Sequence, residues 1–140
     1  ELGRDNTATG ERRAATARAA RPSAEAKAAA WQQAVFDDEL SGNLGRAVIG
    51  GFVRPGQESL LAPYTAQYFA AAQDVWDRRT SEVAQSVIVG LYPGWAIDDD
   101  AIAAADDFLA GDHPPALRRL ISEGRDGVVR SLRNRRYDAS

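Results

Sequence analysis

The sequence predicts an all-α domain of stacked antiparallel helical hairpins, a HEAT/armadillo-like α-α superhelix. Three observations predict it. Alanine dominates the first third of the chain and recurs later, and it is the best helix former because it loses no side-chain entropy on ordering. Runs rich in β-branched residues are short, and no long apolar/polar alternation marks a strand. Finally, Leu44-x-x-Ala47-Val48-Ile49-x-Gly51-Phe52 matches Val83-x-x-Ser86-Val87-Ile88-x-Gly90-Leu91. Two helices per unit and a period of roughly 40 residues are typical of helical solenoids.

The elements follow in order, and six to seven helices are expected. Asp5 or Thr7 can cap the first, and Pro22 stops it by disfavouring helix at the residue before. Ser23 caps the next, which carries Ala26, Ala30, Trp31, Ala34 and Val35 on one stripe. Asp37, Asp38 and Glu39 form a turn at the positive end of a helix from about Leu40 to Phe52. Gly50, Gly51 and the Arg54-Pro55-Gly56 turn close that helix. A short turn from Gln57 to Leu61 leads to Pro63, suited to a first helical turn. The long helix after it carries Tyr64, Tyr68, Phe69, Ala72, Val75 and Trp76, read as core packing.

Thr80 or Ser81 caps a helix bearing Val83, Val87, Ile88 and Leu91, ended by Pro93-Gly94. Asp98 to Asp100 start another, closed by Gly111. His113-Pro114-Pro115 opens the last, with Leu117, Leu120, Ile121, Val128, Val129 and Leu132 on its stripe. Gly124 lies on that stripe and permits close approach, whereas Gly127 lies beside it as a weak point.

The chain has 140 residues, enough for one domain with a hydrophobic core. It has no cysteine, which excludes disulfides and thiolate metal sites and favours a reducing cytoplasm. Seventeen basic and 20 acidic residues give a net charge of −3, with no push toward nucleic acid or an anionic membrane. No apolar run approaches the roughly 18 residues that span a bilayer. The opening Glu1-Leu2-Gly3-Arg4-Asp5 reads like the middle of a longer chain.

Several local patterns together resemble the C-terminal helical domain of actinobacterial aminopeptidase N, a family of zinc metallopeptidases. They are Ala24-Glu25-Ala26-Lys27 leading to Ala30-Trp31; Leu40-Ser41-x-Asn43; Gly51-Phe52-x-Arg54-Pro55-Gly56-Gln57; Leu60-Leu61-x-Pro63-Tyr64-x-x-x-Tyr68-Phe69; and Gly90-Leu91-Tyr92-Pro93. The Leu117-Arg118-Arg119 to Leu132-Arg133 helix fits the chain end of that family. The likeness runs from about Asp5 to Arg136. It implies a C-terminal helical-repeat domain, residues 1–140, of an enzyme that removes N-terminal amino acids from peptides. In that family zinc is held by HExxH and a distant Glu, with a separate motif for the free amine and a Tyr for the oxyanion. None of these is present: HExxH needs two histidines four apart, and this chain has one His and no Met. The resemblance therefore implies a non-catalytic piece, with no metal or catalytic residue of its own. Its expected partners are a catalytic domain on the same polypeptide and peptide substrates, and its expected role is to cover the active site and wall the substrate cavity.

Few residues remain as site candidates. Arg118, Arg119, Arg125 and Arg130 lie on the last helix; from Pro114 onward there are seven basic and three acidic residues, a net of 7 − 3 = +4. They suit a wall that draws a peptide carboxylate, since guanidinium pairs with carboxylate in a two-pronged fork. The blander reading is dipole compensation and salt bridges. Arg54 and Gln57, on a stiff exposed turn, are candidates for an interdomain or cavity contact. His113 and the acidic runs read as caps. A stand-alone helical-repeat module that binds a protein or peptide is the alternative function. A regulator's ligand-binding bundle is a weaker one, needing an apolar pocket and a DNA-binding helix pair not seen here. A first helix left without neighbours would expose an apolar face able to pair two copies.

Overall fold

The computed structural model describes residues 2–139, with side chains from Thr7 onward. Among them no strand occurs. The helices are α1 (Leu2–Ala19), α2 (Ala24–Trp31), α3 (Gly42–Phe52), α4 (Glu58–Leu61), α5 (Tyr64–Arg78), α6 (Ser81–Gly90), α7 (Asp99–Ala110) and α8 (Pro115–Ala139). The all-α expectation stands, with eight helices instead of six to seven because Glu58–Leu61 closes a turn of its own. The chain divides into two compact units, residues 1–61 and 62–140.

In the first unit, Ser23 caps α2 by accepting from the Ala26 N–H at 3.1 Å. The helix widens into a π turn, Gln32–Phe36, which buries Ala34 and Val35. Two expectations are corrected here. The first helix already runs from Leu2, so Asp5 and Thr7 lie inside it and are not its cap. The next helix begins at Gly42, capped by the Ser41 hydroxyl, which accepts from Leu44 N–H at 3.2 Å. Asp37 instead spends its carboxylate on a local turn, accepting from Glu39 N–H at 3.0 Å. A short side chain that satisfies its own backbone competes with helix formation. No acid therefore reaches the first turn of α3.

Helix α3 supplies the unit's core with Val48, Ile49 and Phe52, and the Trp31 ring lies 5.7 Å from that of Phe52. Helix α1 crosses α3 so closely that a Cβ at Gly51 would collide with Thr16 O and the Ala19 Cβ. The Thr16 hydroxyl donates to Ala47 O at 3.0 Å. Lys27 is 0% exposed. Its ammonium donates to Ala19 O, Gly51 O and Phe52 O at 2.8, 3.3 and 3.0 Å and sits 5.6 Å from the Phe52 ring centroid. Burial, and then the nearby Arg54 cation, lower its pKa from the ordinary value.

In the second unit, Pro63 is the N-cap residue of α5. Thr80 and Asp98 cap α6 and α7, accepting from Val83 N–H at 3.4 Å and Ala101 N–H at 2.8 Å. The Tyr68 hydroxyl donates to Ile88 O, tying α5 to α6. Tyr68, Phe69 and Tyr92 meet edge to face, with Phe108 beside Phe69. Helix α8 closes this cluster at Gly124, where a Cβ would lie 2.5 Å from the Tyr92 ring. Both copies of the nine-residue repeat bury the same positions: Val48 and Val87, Ile49 and Ile88, Phe52 and Leu91. Each copy is a helix packed on the one before it in its own unit.

Candidate functional site

The basic stretch of α8 was the strongest candidate on charge, and the fold gives its arginines different work. Arg118 turns back to the end of α7 and donates to Leu109 O at 2.6 Å and Gly111 O at 3.0 Å. A helix C-terminus leaves such carbonyls without helical partners and carries partial negative charge, so a cation is favoured there. Arg125 holds Asp106 in a fork, Nε to Oδ1 at 2.6 Å and Nη2 to Oδ2 at 3.4 Å. That hydrogen bond raises the Arg125 pKa still further. Its charge, set beside Tyr92, partly offsets the burial that pushes the Tyr92 phenol up to about 12.

Arg119 and Arg130 are exposed, and neither has a hydrogen-bond or ion-pair partner among the described residues. Eleven residues apart, they share one face of α8, about 16 Å from each other. Glu123 and Asp126 lie on that face between them, so its first half is mixed in charge and its second half, with Arg130 and Arg133, is cationic. Around the corner, Asp99, Ile102, Arg125, Val129, Leu132, Arg133 and Arg136 line a shallow open groove between α7 and α8. Arg136 pairs with Asp99 at 2.8 Å across it. Arg133 and Arg136 belong to the same basic stretch of the sequence, but the carboxylate contacts expected from it were Arg118, Arg119, Arg125 and Arg130.

The Arg54–Gln57 turn also divides. Gly56 takes φ +84°, which places the left-handed residue where only glycine is unstrained. Arg54 is exposed, while Gln57 turns inward and donates to Ala20 O at 2.9 Å. Gln57 thus holds the end of α1. His113 lies flat on Phe108, ring centroids 3.8 Å apart, with Nδ1 2.6 Å from Gln73 Oε1. Among the described residues no group of three or more His, Cys, Asp or Glu side chains could hold a metal ion. Among them, too, no helix is long and apolar enough to cross a membrane. The fold thus presents an exposed stretch of α8 with Arg130 and Arg133, beside an open groove crossed by the Arg136–Asp99 pair.

Comparison with known proteins places this chain in a family. Residues 1–130 match the model of the ERAP1-like C-terminal domain. The chain belongs to the ERAP1-like C-terminal domain family. It is also 50% identical over 141 residues to aminopeptidase N of Streptomyces lividans. That match takes in 100% of this chain and 16% of the relative, so the chain corresponds to a small part of a much larger enzyme. The scaffold motifs from Ala24 to Pro93, together with the helix from Leu117 to Arg133, carried that likeness in the sequence.

Proposed function

We propose that this chain is the accessory C-terminal domain of an aminopeptidase N that removes N-terminal amino acids from peptides. It covers the active site of a catalytic domain on the same polypeptide and walls the cavity in which peptides are held. The observation that supports this reading is the alignment: all of the chain matches, and it accounts for only 16% of the aminopeptidase. The zinc of such an enzyme would polarise the scissile carbonyl and activate water. The described residues do not fit it, with a single His and no clustered ligand set, and they contribute no step of that chemistry. A cytoplasmic location and helical hairpins continuing into a superhelix belong to the same reading.

Of the arginines first considered, Arg119 and Arg130 suit contact with a peptide carboxylate best, because Arg118 and Arg125 already have internal partners. The test uses the whole enzyme with Arg119→Glu and Arg130→Glu. KM for tripeptides should rise about 3- to 10-fold, as for a lost solvent-exposed charge contact. KM for an aminoacyl-anilide, which has no carboxylate, should not move. Equal changes for both substrates would remove the carboxylate reading. Hydrolysis of the anilide by the 140-residue chain alone would remove the accessory reading itself.

A further inference from the structure

From Thr7 to Ala19, helix α1 has little to hold it by hydrophobicity. Over that span it contains no Val, Ile, Leu or aromatic residue, and the side chains it buries are Ala15 and Ala19. Two methyl groups remove little apolar area from water. Its described contacts include a close backbone approach over Gly51 and hydrogen bonds to main-chain carbonyls at the seam. Thr16 donates to Ala47 O, Gln57 to Ala20 O and Lys27 to Ala19 O. The approach also brings two helix C-termini together, because the same ammonium reaches Ala19 O on α1 and Gly51 O and Phe52 O on α3. Both ends carry partial negative charge, and their last carbonyls have no helical N–H to accept from. Held together in a dry interior, they would repel. The Lys27 ammonium is the buried cation between them, and among the described residues no carboxylate shares it.

We propose that Lys27 is the latch that holds α1 on α3, so that removing its charge releases α1 as a unit while α2, α3 and α4 stay folded. The rest of the unit has large apolar side chains of its own to pack: Trp31, Val35, Val48, Phe52 and Leu61 are each at most 4% exposed in the folded unit. The seam between α1 and α3 is then where this unit opens first, a conformational device set by one charge.

Hydrogen exchange followed by mass spectrometry on the 140-residue chain tests this with Lys27→Met and, as a milder variant, Thr16→Val. In Lys27→Met, α1 amides should exchange about 100-fold faster, as when one partner of a buried charged network is removed. Residues 24–61 should change by less than about threefold, and residues 62–140 should match wild type. Thr16→Val should give a smaller acceleration confined to α1. Unchanged α1 exchange in Lys27→Met overturns the proposal. So does loss of protection throughout residues 24–61 in either variant, since Lys27 would then support the whole unit and not the seam.

Discussion

Replacing Gly124 or Gly127 by alanine should move stability in opposite directions, although the two lie less than one turn apart on α8. On an isolated helix each change would gain about 1 kcal/mol, because glycine loses more backbone entropy on ordering. At Gly127 the new methyl would meet only the far end of Arg130, at 3.9 Å. Most of the propensity gain should survive there, about 0.5–1 kcal/mol. At Gly124 the new Cβ would lie 2.5–2.6 Å from Cδ2, Cε2 and Cγ of Tyr92, about 1 Å inside ordinary contact. Cγ lies on the Cβ–Cγ axis about which the ring turns, so turning the ring does not clear it. Nor is the ring free to slide, with edge-to-face neighbours at 5.4 Å (Tyr68) and 5.8 Å (Phe69). Overpacking of this kind costs about 1–3 kcal/mol beyond the propensity gain. The two variants should therefore differ by about 1.5–4 kcal/mol in urea unfolding, or about 4 °C of Tm for each kcal/mol. Adding Gly124→Ala to a Tyr92→Ala background should restore the gain, as a double-mutant cycle. If Gly124→Ala stabilises as much as Gly127→Ala, the close approach at Tyr92 is wrong.

Three further outcomes follow from the same contacts. Burial holds the Tyr92 phenol at about 12 and the Tyr68 phenol well above its ordinary 10. A raised folded pKa means the unfolded chain releases these protons first, so stability is intact below pH 10 and falls as pH rises toward 12. Tyr92 alone should cost about 1.4 kcal/mol by pH 11, read as a lower urea midpoint and as lagging tyrosinate absorbance at 295 nm. Arg118→Ala should destabilise by about 1–3 kcal/mol through the bare carbonyls at the end of α7, while Arg119→Ala and Arg130→Ala should stay within about 0.5 kcal/mol in the same melts. Asp98→Ala should cost about 1 kcal/mol by uncapping α7, with exchange rising first at its N-terminal amides.

Much of the helical order is written locally. Ser23, Thr80 and Asp98 accept from the third N–H ahead, and proline sets φ or blocks the helix behind it. These effects act within a turn of the residue, so a single sequence displays them. The apolar stripe through Gly124 also reads directly, because helical spacing puts its members on one face. Local rules misled at the first helix and at Leu40. Asp5 and Asp37 have the chemistry of caps, but α1 starts before Asp5 and Asp37 closes a turn of its own.

Lys27 and the arginines of α8 were decided by tertiary structure. A lysine in an alanine-rich helix reads as solvated surface, and nothing near it in sequence says otherwise. Its partners come from positions 8, 24 and 25 residues away, and only packing α1 against α3 creates the paired carbonyl ends that make a buried cation favourable. Arg118, Arg119, Arg125 and Arg130 are alike as a run of charge. Which of them is spent on a helix end or a carboxylate, and which is left facing water, depends on where α7 lies, since electrostatic partners are chosen by distance in space and not along the chain.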